Sequence, residues 1–397
     1  MKSLFETLIG EATLLTTRGN LLDATAAIQR ALSGSTLAAP TPTSSADATV
    51  LDGLVREITD RPARPGAASR VRADFPDATP SAAPPAFGPS SFESHQHSGR
   101  FGSRTYKLFV PSGSAPSPRP LVVMLHGCSQ SPDDFAAGTR MNEVAQERGF
   151  LVLYPAQAPR SNQSKCWNWF TPTDQRRDGG EPGLLAEITR EVIASHGIDQ
   201  RRVYVAGLSA GAAMAVILGR EYPDLYAATG VHSGLPQGAA HDVASAFSAM
   251  HSGATVAAMP NLRGAHRAKA AGQQNGSGAD RAAAPTIVFH GDTDSTVHPS
   301  NGDRVVGAAL HATVGSPQAA QQTTVKSAAA GRAYTRTVHR RAGAAPAEPS
   351  VAEHWVVHGA GHAWSGGSTK GSYADASGPE ASREMVRFFE EHPLPAR

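Results

Sequence analysis

The chain has 397 residues, with 36 Lys and Arg against 34 Asp and Glu, so its formal net charge at pH 7 is only +2. A balance this even gives no general electrostatic field for nucleic acid or for an anionic membrane surface. Apolar residues make up 40% and charged residues 18% of the chain, which excludes a wholly disordered protein. Two cysteines are too few for a disulfide-dense scaffold or a four-cysteine metal site, and no apolar run approaches the ~18 residues of a membrane-spanning helix.

The first hundred residues divide into two segments by composition. Residues 1–35 are predicted to form a helical segment, because apolar residues recur at helical spacing over 3–34 and give it one apolar face. That face either packs on the main domain or on a second copy, or docks onto a partner or an apolar surface. Residues 36–99 are rich in Pro, Ala and Ser and are predicted to be a disordered linker, because such a composition buries too little apolar surface to offset the entropy of ordering.

From about residue 100, short apolar runs alternate with helical patterns. Strands are predicted at 105–110, 121–125, 151–154, 203–208, 227–231, 286–289 and 354–357, and helices at 133–148, 184–195, from 210 onward and at 380–391. This alternation predicts an α/β domain over 100–397, with a mostly parallel central sheet flanked by helices. Two Ala-, Gly- and Gln-rich intervals, 264–284 and 312–332, are expected to be mobile surface insertions.

The strongest motif is Gly207-Leu208-Ser209-Ala210-Gly211, between a predicted strand and a predicted helix. This is the context of a nucleophile elbow, in which a sharp turn holds the serine in strained backbone angles and a Cβ at either flanking glycine would clash. Ser209 is therefore the predicted nucleophile. The amide of Ala210, at the helix N-terminus, is the predicted first half of an oxyanion hole.

A serine nucleophile needs a base, and in α/β-hydrolases an acid and then a histidine follow the serine along the chain. His362 lies in a glycine-rich loop after the 354–357 strand and is the predicted base. Asp292 and Asp294 compete for the role of the acid that orients it. Asp294 is favoured because it lies three residues before Val297, in a His-Gly-x-x-Asp-x-x-Val arrangement common in α/β-hydrolases, whereas Asp292 is interpreted as a loop-capping acid.

The loop after the 121–125 strand reads Leu-His-Gly-Cys-Ser-Gln, and it is predicted to supply the second half of the oxyanion hole through the amide of Cys128. His126 in this loop is interpreted as a loop-shaping side chain rather than a second base. Cys128 and Cys166 each stand beside a predicted active-site loop. They form either a disulfide, in an oxidising compartment, or two free thiols.

Three tryptophans lie close in sequence to these motifs and are candidate substrate-binding side chains: Trp167, Trp169 and Trp364. Their flat aromatic faces would suit an aliphatic polyester or an aromatic acyl group, and ordinary core packing is the alternative for each of them.

Five motifs occur in order along the chain: LHGCSQ, CWNWF, GLSAGAAM, HGDTDSTV and GAGHAWSGG. Over roughly residues 100–392 this set resembles the polyhydroxybutyrate (PHB) depolymerase-family esterases. The resemblance implies an α/β-hydrolase fold and a serine esterase that hydrolyses short-chain polyhydroxyalkanoate, poly(3-hydroxybutyrate), or its oligomers. Related members are feruloyl and acetyl-xylan esterases, so a carboxylesterase of that type is the alternative. A granule- or polymer-binding protein without activity is the non-enzymatic alternative.

The remaining expectations concern cofactors, partners and location. No metal-binding cluster or dinucleotide motif is present, so neither a metal nor another cofactor is expected. The expected partners are a polyester or small ester substrate and, through residues 3–34, a polymer-granule surface, with no nucleic acid and no membrane span. Glu6 and Glu11 interrupt the apolar run that a secretory signal requires, which predicts a cytoplasmic protein. An extracellular location is the alternative, because many members of the family are secreted.

Overall fold

The computed structural model describes residues 89–113, 118–253, 283–314, 320–327, 331–345 and 348–396. The chain divides into two compact units, Met1–Ala78 and Thr79–Arg397, and every described residue belongs to the second. The predicted helical segment, with its apolar face at 3–34, lies outside the described residues. So do most of the predicted linker and nearly all of the insertion predicted at 264–284.

One mixed sheet organises the described part of the chain. Its strands are β1 (Ser91–Gly99), β2 (Gly102–Val110), β3 (Arg119–Leu125), β4 (Leu151–Pro155), β5 (Ile198–Leu208), β6 (Thr229–His232), β7 (Thr286–Gly291), β8 (Ala320–Ser327), β9 (Tyr334–Arg341) and β10 (Ala352–Val357). Their spatial order is β1-β2-β4-β3-β5-β6-β7-β10-β9-β8. The central run from β4 to β10 is parallel, and antiparallel pairs extend it at both edges. The prediction of a mostly parallel sheet is confirmed.

Helices cover both faces of this sheet. They are α1 (Pro132–Thr139), α2 (Met141–Arg148), α3 (Gly180–His196), α4 (Ala210–Glu221), α5 (Val243–Ser252), α6 (Ser300–Val314) and α7 (Ala381–Glu390). In β3, Leu121, Val123 and Leu125 pack with α3 and α4 on one face, while Val122 and Met124 pack with α1, α2 and α7 on the other. Because both faces of β3 are buried, Leu121–Leu125 is a continuous apolar run, and this run predicts the strand from the sequence. In the described residues no helix is long and apolar enough to cross a membrane.

The structure corrects the predicted end of the linker at residue 99. Residues 91–99 form β1, which pairs with β2 from Ser91 opposite Val110 to Gly99 opposite Gly102. The strand lies at the edge of the sheet and is held by backbone hydrogen bonds to β2. Most of its side chains are polar, so the sequence has no apolar pattern that would predict it. Its buried side chain, His97, is 2.5 Å from the carboxylate of Glu191 in α3.

The structure also corrects the insertion predicted at 312–332. Helix α6 continues to Val314, and β8 pairs with β9 along its whole length at the other edge of the sheet. The β8 sequence, AQQTTVKS, is again polar and lacks an apolar signal. The single helix predicted at 133–148 is two helices, because Arg140 between them adopts a left-handed backbone with φ 56°.

Candidate active site

The turn from β5 into α4 consists of a single residue, Ser209. Its backbone has φ 58° and ψ −120°, a region that residues with a Cβ rarely adopt. The turn is held by two backbone hydrogen bonds: Ser209 N–H donates to the carbonyl of His232 at 3.0 Å, and Ala213 N–H donates to the carbonyl of Ser209 at 2.9 Å. The predicted nucleophile therefore stands at the carboxyl edge of the sheet with its backbone fixed from both sides.

The two glycines that flank Ser209 are required by close approach. A Cβ on Gly207 would lie 2.4 Å from the carbonyl carbon of Gly211, and a Cβ on Gly211 would lie 2.0 Å from the carbonyl oxygen of Leu125. Both distances are far inside van der Waals contact, and the obstructing atoms are backbone. The steric argument made from the Gly-x-Ser-x-Gly motif therefore holds in this structure.

His362 and Asp294 meet at the same edge, on the loops that follow the neighbouring parallel strands β10 and β7. The His362 Nδ1 atom lies 2.8 Å from Asp294 Oδ2; the Asp294 side chain is fully buried and that of His362 is 9% exposed. The other carboxylate oxygen, Oδ1, accepts backbone N–H bonds from Thr296 and Val297 at 2.9 Å each. Because an ionised carboxylate only accepts, the hydrogen on this side of the imidazole is on Nδ1, which leaves Nε2 free to accept a proton.

The surroundings of Asp294 favour its charged form. Burial by itself raises the pKa of this carboxyl, but hydrogen bonds from His290 and His362, the charge of His362 and the N–H of Val297 outweigh it and hold the pKa well below its usual range. His290 is fixed by a 2.9 Å contact between its Nε2 and the carbonyl of Val297. Asp294 is therefore a carboxylate that can stabilise a positive charge on His362.

Asp292, the competing acid, contacts a different histidine. Its Oδ2 lies 2.8 Å from Nδ1 of the exposed His358, and its Oδ1 accepts the N–H of Gly359 at 2.7 Å. The structure thus brings Asp294 to His362 and places Asp292 in a surface pair.

The loop after β3 lies against the elbow. A Cβ on Gly127 would be 3.6 Å from Ser209 Cβ, an ordinary van der Waals distance, so this part of the loop packs directly beside the nucleophile. Both ring nitrogens of His126 bind backbone: Nδ1 donates to the Gly127 carbonyl at 2.8 Å and Nε2 accepts the Gln157 N–H at 3.0 Å. Burial lowers the pKa of His126 to about 4, so it is a neutral group that shapes the loop. Cys128 and Ala210, the predicted oxyanion donors, belong to the two segments that meet at Ser209.

Of the two alternatives for the cysteines, the structure has the disulfide between Cys128 and Cys166. It joins the loop after β3 to the loop after β4. The same two loops share a backbone hydrogen bond of 2.7 Å from Ser129 N–H to the carbonyl of Ser164, and the Gln157 side chain donates to the carbonyl of Cys166 at 2.8 Å. The candidate oxyanion loop is thus held by a covalent bond and by hydrogen bonds.

The structure places Trp167, Trp169 and Trp364 in the interior, where all three residues are at most 5% exposed, and it therefore favours core packing over the predicted substrate-binding role. The indole N–H of Trp167 donates to the carbonyl of His126 at 3.1 Å, and that of Trp364 donates to Ser382 Oγ at 3.1 Å. These rings support the active-site loops from inside the core. Proximity in sequence to a catalytic motif does not show on which side of a loop a side chain lies.

Tyr373 lies beside the site and was not predicted from the sequence. Tyr373 is 48% exposed, and its ring centroid lies 6.2 Å from that of His362 in an edge-on arrangement. It occurs in no recognised motif, so the sequence carried no signal for it. Within the described ranges, no group of three or more His, Cys, Asp or Glu side chains has an arrangement that could hold a metal ion.

Comparison with known proteins assigns the chain to a family. A family model described as "Esterase PHB depolymerase" matches residues 104–316, just over half of the 397-residue chain. The chain belongs to this PHB depolymerase esterase family. The matched range includes Ser209 and Asp294 and ends before His362, which the structure brings to Asp294. The resemblance read from the five motifs is confirmed.

The relatives of this esterase-family chain include polyester depolymerases and acetylxylan esterases. Poly(3-hydroxyalkanoate) depolymerase C of Paucimonas lemoignei is 37% identical over 200 residues, which cover 50% of this chain and 45% of that protein. Poly(3-hydroxybutyrate) depolymerase of Ralstonia pickettii is 33% identical over 165 residues, covering 38% and 34%. Acetylxylan esterase A of Emericella nidulans is 28% identical over 197 residues, covering 49% and 63%. The chain spans about half the length of the curated relatives it matches.

A solved structure, an acetyl xylan esterase from Aspergillus awamori, superposes with a TM-score of 0.53 at 19% sequence identity. The match covers 75% of this chain and 99% of that one. At this identity the likeness concerns the fold alone, and it confirms the predicted α/β-hydrolase architecture.

Proposed function

We propose that this chain is a serine esterase that hydrolyses ester bonds of poly(3-hydroxybutyrate), another short-chain polyhydroxyalkanoate, or their oligomers. The observation that carries the proposal is the 2.8 Å hydrogen bond between His362 and Asp294, on loops at the sheet edge where the elbow presents Ser209. Membership of the PHB depolymerase esterase family supports the reaction class. The two depolymerase relatives support the polyester substrate.

In the proposed mechanism, Ser209 Oγ attacks the ester carbonyl while Nε2 of His362 takes its proton. Asp294 stabilises the resulting imidazolium. The N–H groups of Cys128 and Ala210 donate to the oxyanion of the tetrahedral intermediate. The intermediate collapses as His362 returns the proton to the departing alcohol, leaving an acyl group on Ser209. A water molecule, deprotonated by His362, then attacks this acyl-enzyme and releases the acid.

The alternative substrate class is a feruloyl or acetyl-xylan ester. It is favoured by the acetylxylan esterase relatives, one of which is 28% identical over 197 residues. The identity to the Paucimonas lemoignei depolymerase, 37% over 200 residues, is higher, and we therefore place the polyester first.

The location and the surface partner of the protein are also proposals. The Cys128–Cys166 disulfide supports a compartment outside the cytoplasm, because cytoplasmic thiols are kept reduced. This favours the extracellular alternative over the cytoplasmic prediction. The proposed contact of residues 3–34 with a polymer-granule surface rests on their sequence pattern. If the purified chain hydrolyses no ester, the non-enzymatic alternative, a granule- or polymer-binding protein, would be favoured instead.

The test is hydrolysis of 3-hydroxybutyrate oligomers, methyl ferulate and p-nitrophenyl acetate by the purified chain and by Ser209→Ala. We expect a preference for the oligomers and a loss of at least about 10³-fold in kcat in the variant, because the nucleophile is removed. Ser195→Ala, at an exposed hydroxyl that bonds the Glu191 carbonyl and His196 Nδ1 within α3, is the matched control and should keep full activity. Full activity of Ser209→Ala would exclude the mechanism, and a preference for methyl ferulate would move the substrate to the alternative class.

A further inference from the structure

Tyr373 is an exposed aromatic side chain next to the candidate catalytic base. Its ring centroid is 6.2 Å from that of His362, and the two planes meet at 79°. Exposed apolar side chains are common on protein surfaces and need no explanation by themselves. What sets Tyr373 apart is its position beside His362 together with an unfavourable backbone that the fold maintains.

The backbone of Tyr373 is in the left-handed region, with φ 51°. A tyrosine there is strained, and such strain persists only where the surrounding structure imposes it. The carbonyl of Tyr373 accepts the N–H of Trp364 at 2.7 Å, which pairs β11 (Trp364–Ser365) with β12 (Ala374–Asp375). The chain therefore presents this ring outward at the expense of local backbone energy.

The residue before it is held just as firmly. Ser372 N–H donates to Asp134 Oδ1 at 2.8 Å, and its hydroxyl lies 2.5 Å from Asp134 Oδ2. The amide of Gln130 donates to the Ser372 carbonyl at 3.1 Å, and the same Gln130 accepts the N–H of Gly127 at 2.9 Å. The segment that carries Tyr373 is thus tied to the loop that approaches Ser209.

We propose that Tyr373 contacts the alcohol part of the ester and gives the enzyme a preference for alcohols with an extended aliphatic chain. This inference rests on the proposed function. In that mechanism His362 returns its proton to the alcohol oxygen, so the departing chain passes beside His362, where the exposed ring offers an apolar face. An internal bond of a polyester has such a chain on its alcohol side, whereas a methyl ester does not.

The test compares hexyl butyrate with methyl butyrate for the wild type, Tyr373→Gly and Tyr373→Phe. Both esters give the same butyryl-enzyme, so the ratio of their kcat/KM values reports only steps up to departure of the alcohol. In Tyr373→Gly we expect kcat/KM to fall about fivefold for hexyl butyrate, the size of a contact with one aromatic face, and to stay unchanged for methyl butyrate. Tyr373→Phe keeps the ring and should keep the wild-type ratio.

Two further readouts separate this contact from a structural role and from failure of the proposed function. Glycine accepts a left-handed backbone, so the Tm of Tyr373→Gly should stay within about 2 °C of the wild-type value. An unchanged ratio in Tyr373→Gly, or an equal loss in Tyr373→Phe, would overturn the contact with the ring. Failure of the wild type to hydrolyse either ester, or hydrolysis that survives Ser209→Ala, would instead overturn the proposed function on which the inference rests.

Discussion

Asp292 and Asp294 are separated by one residue, yet they contact different histidines. Asp294 is buried and has both oxygens engaged, one by His362 and the other by two backbone N–H groups. Asp292 is exposed and bonds His358 and Gly359. The loop after β7 thus directs one carboxylate into the site and the other to the surface, and this difference gives a direct test of which acid serves the reaction.

We expect Asp294→Asn to lower kcat by about 10³-fold or more, because a side-chain amide would donate to His362 Nδ1. The hydrogen of the imidazole would then be on Nε2, which could no longer accept the proton of Ser209. Asp292→Asn, the matched control two residues away, should keep kcat within about twofold, since surface pairs contribute little. The measurement is the turnover of p-nitrophenyl acetate. A larger loss in Asp292→Asn than in Asp294→Asn would reverse the assignment.

At the scale of elements, the site depends on loops from adjacent parallel strands. The disulfide joins the loop after β3 to the loop after β4, and its two cysteines are 38 positions apart in the sequence. A cross-link of this length stabilises the fold by about 3–4 kcal/mol, chiefly by restricting the unfolded chain. It also fixes Cys128, whose N–H is a candidate oxyanion donor, so its removal should affect stability and rate together.

The double variant Cys128→Ser/Cys166→Ser is expected to lower Tm by about 5 °C, given the unfolding entropy of a domain of roughly 300 residues. It should also lower kcat, and the change in kcat should be larger than the change in KM, because an oxyanion donor acts mainly in the transition state. Thermal unfolding and p-nitrophenyl acetate kinetics measure the two effects. Treatment of the wild type with a reductant is the parallel control, and it should reproduce both losses. An unchanged Tm in the double variant would contradict the stabilising role.

The elements also show which parts of the fold are predictable from sequence. Leu121–Leu125 of β3, Val203–Leu208 of β5 and most of α4 are buried, so their apolar runs predict them. β1 and β8 are polar edge strands held by backbone hydrogen bonds, which leave no apolar pattern in the sequence. Ser209, Asp294 and His362 were predictable because parallel strands bring their carboxyl ends to one edge in a fixed order. Tyr373 was not, since its placement depends on a left-handed backbone and on a hydrogen bond from Ser372 to Asp134, 238 positions away.

Across the whole molecule, buried titratable groups link stability to pH in two opposing ways. Burial lowers the pKa of His126 to about 4, of His232 to about 3 and of His354 to about 4. In the unfolded chain each histidine titrates near 6.5, so near pH 5.5 unfolding takes up nearly one proton per histidine. Burial raises the pKa of Glu181 to about 7 from a usual value of 4.5, so at the same pH its exposure releases a proton.

The three histidines outweigh the single glutamate, so the four groups together take up about two protons on unfolding near pH 5.5. Because the unfolded state binds more protons, stability rises with pH between about 4.5 and 6.5, and Tm should fall steadily as the pH is lowered through this window. Glu181 opposes that fall: its buried carboxyl is protonated in the folded protein, so its contribution to the free energy of unfolding increases as the pH drops. We therefore expect Glu181→Gln to steepen the decline of Tm between pH 6.5 and 4.5.

Thermal unfolding across this pH range measures the effect. The quantity compared is the slope of Tm against pH, because the substitution also changes the hydrogen bonds to Asn168 and Gln157 and thus the absolute Tm. Glu93→Gln, at an exposed position in β1, is the matched charge-removing control and should leave the slope unchanged. Equal slopes for Glu181→Gln and wild type would show that Glu181 is ionised in the folded protein. The contact of Glu181 with Arg104, at 3.6 Å, would then be the interaction that compensates its burial.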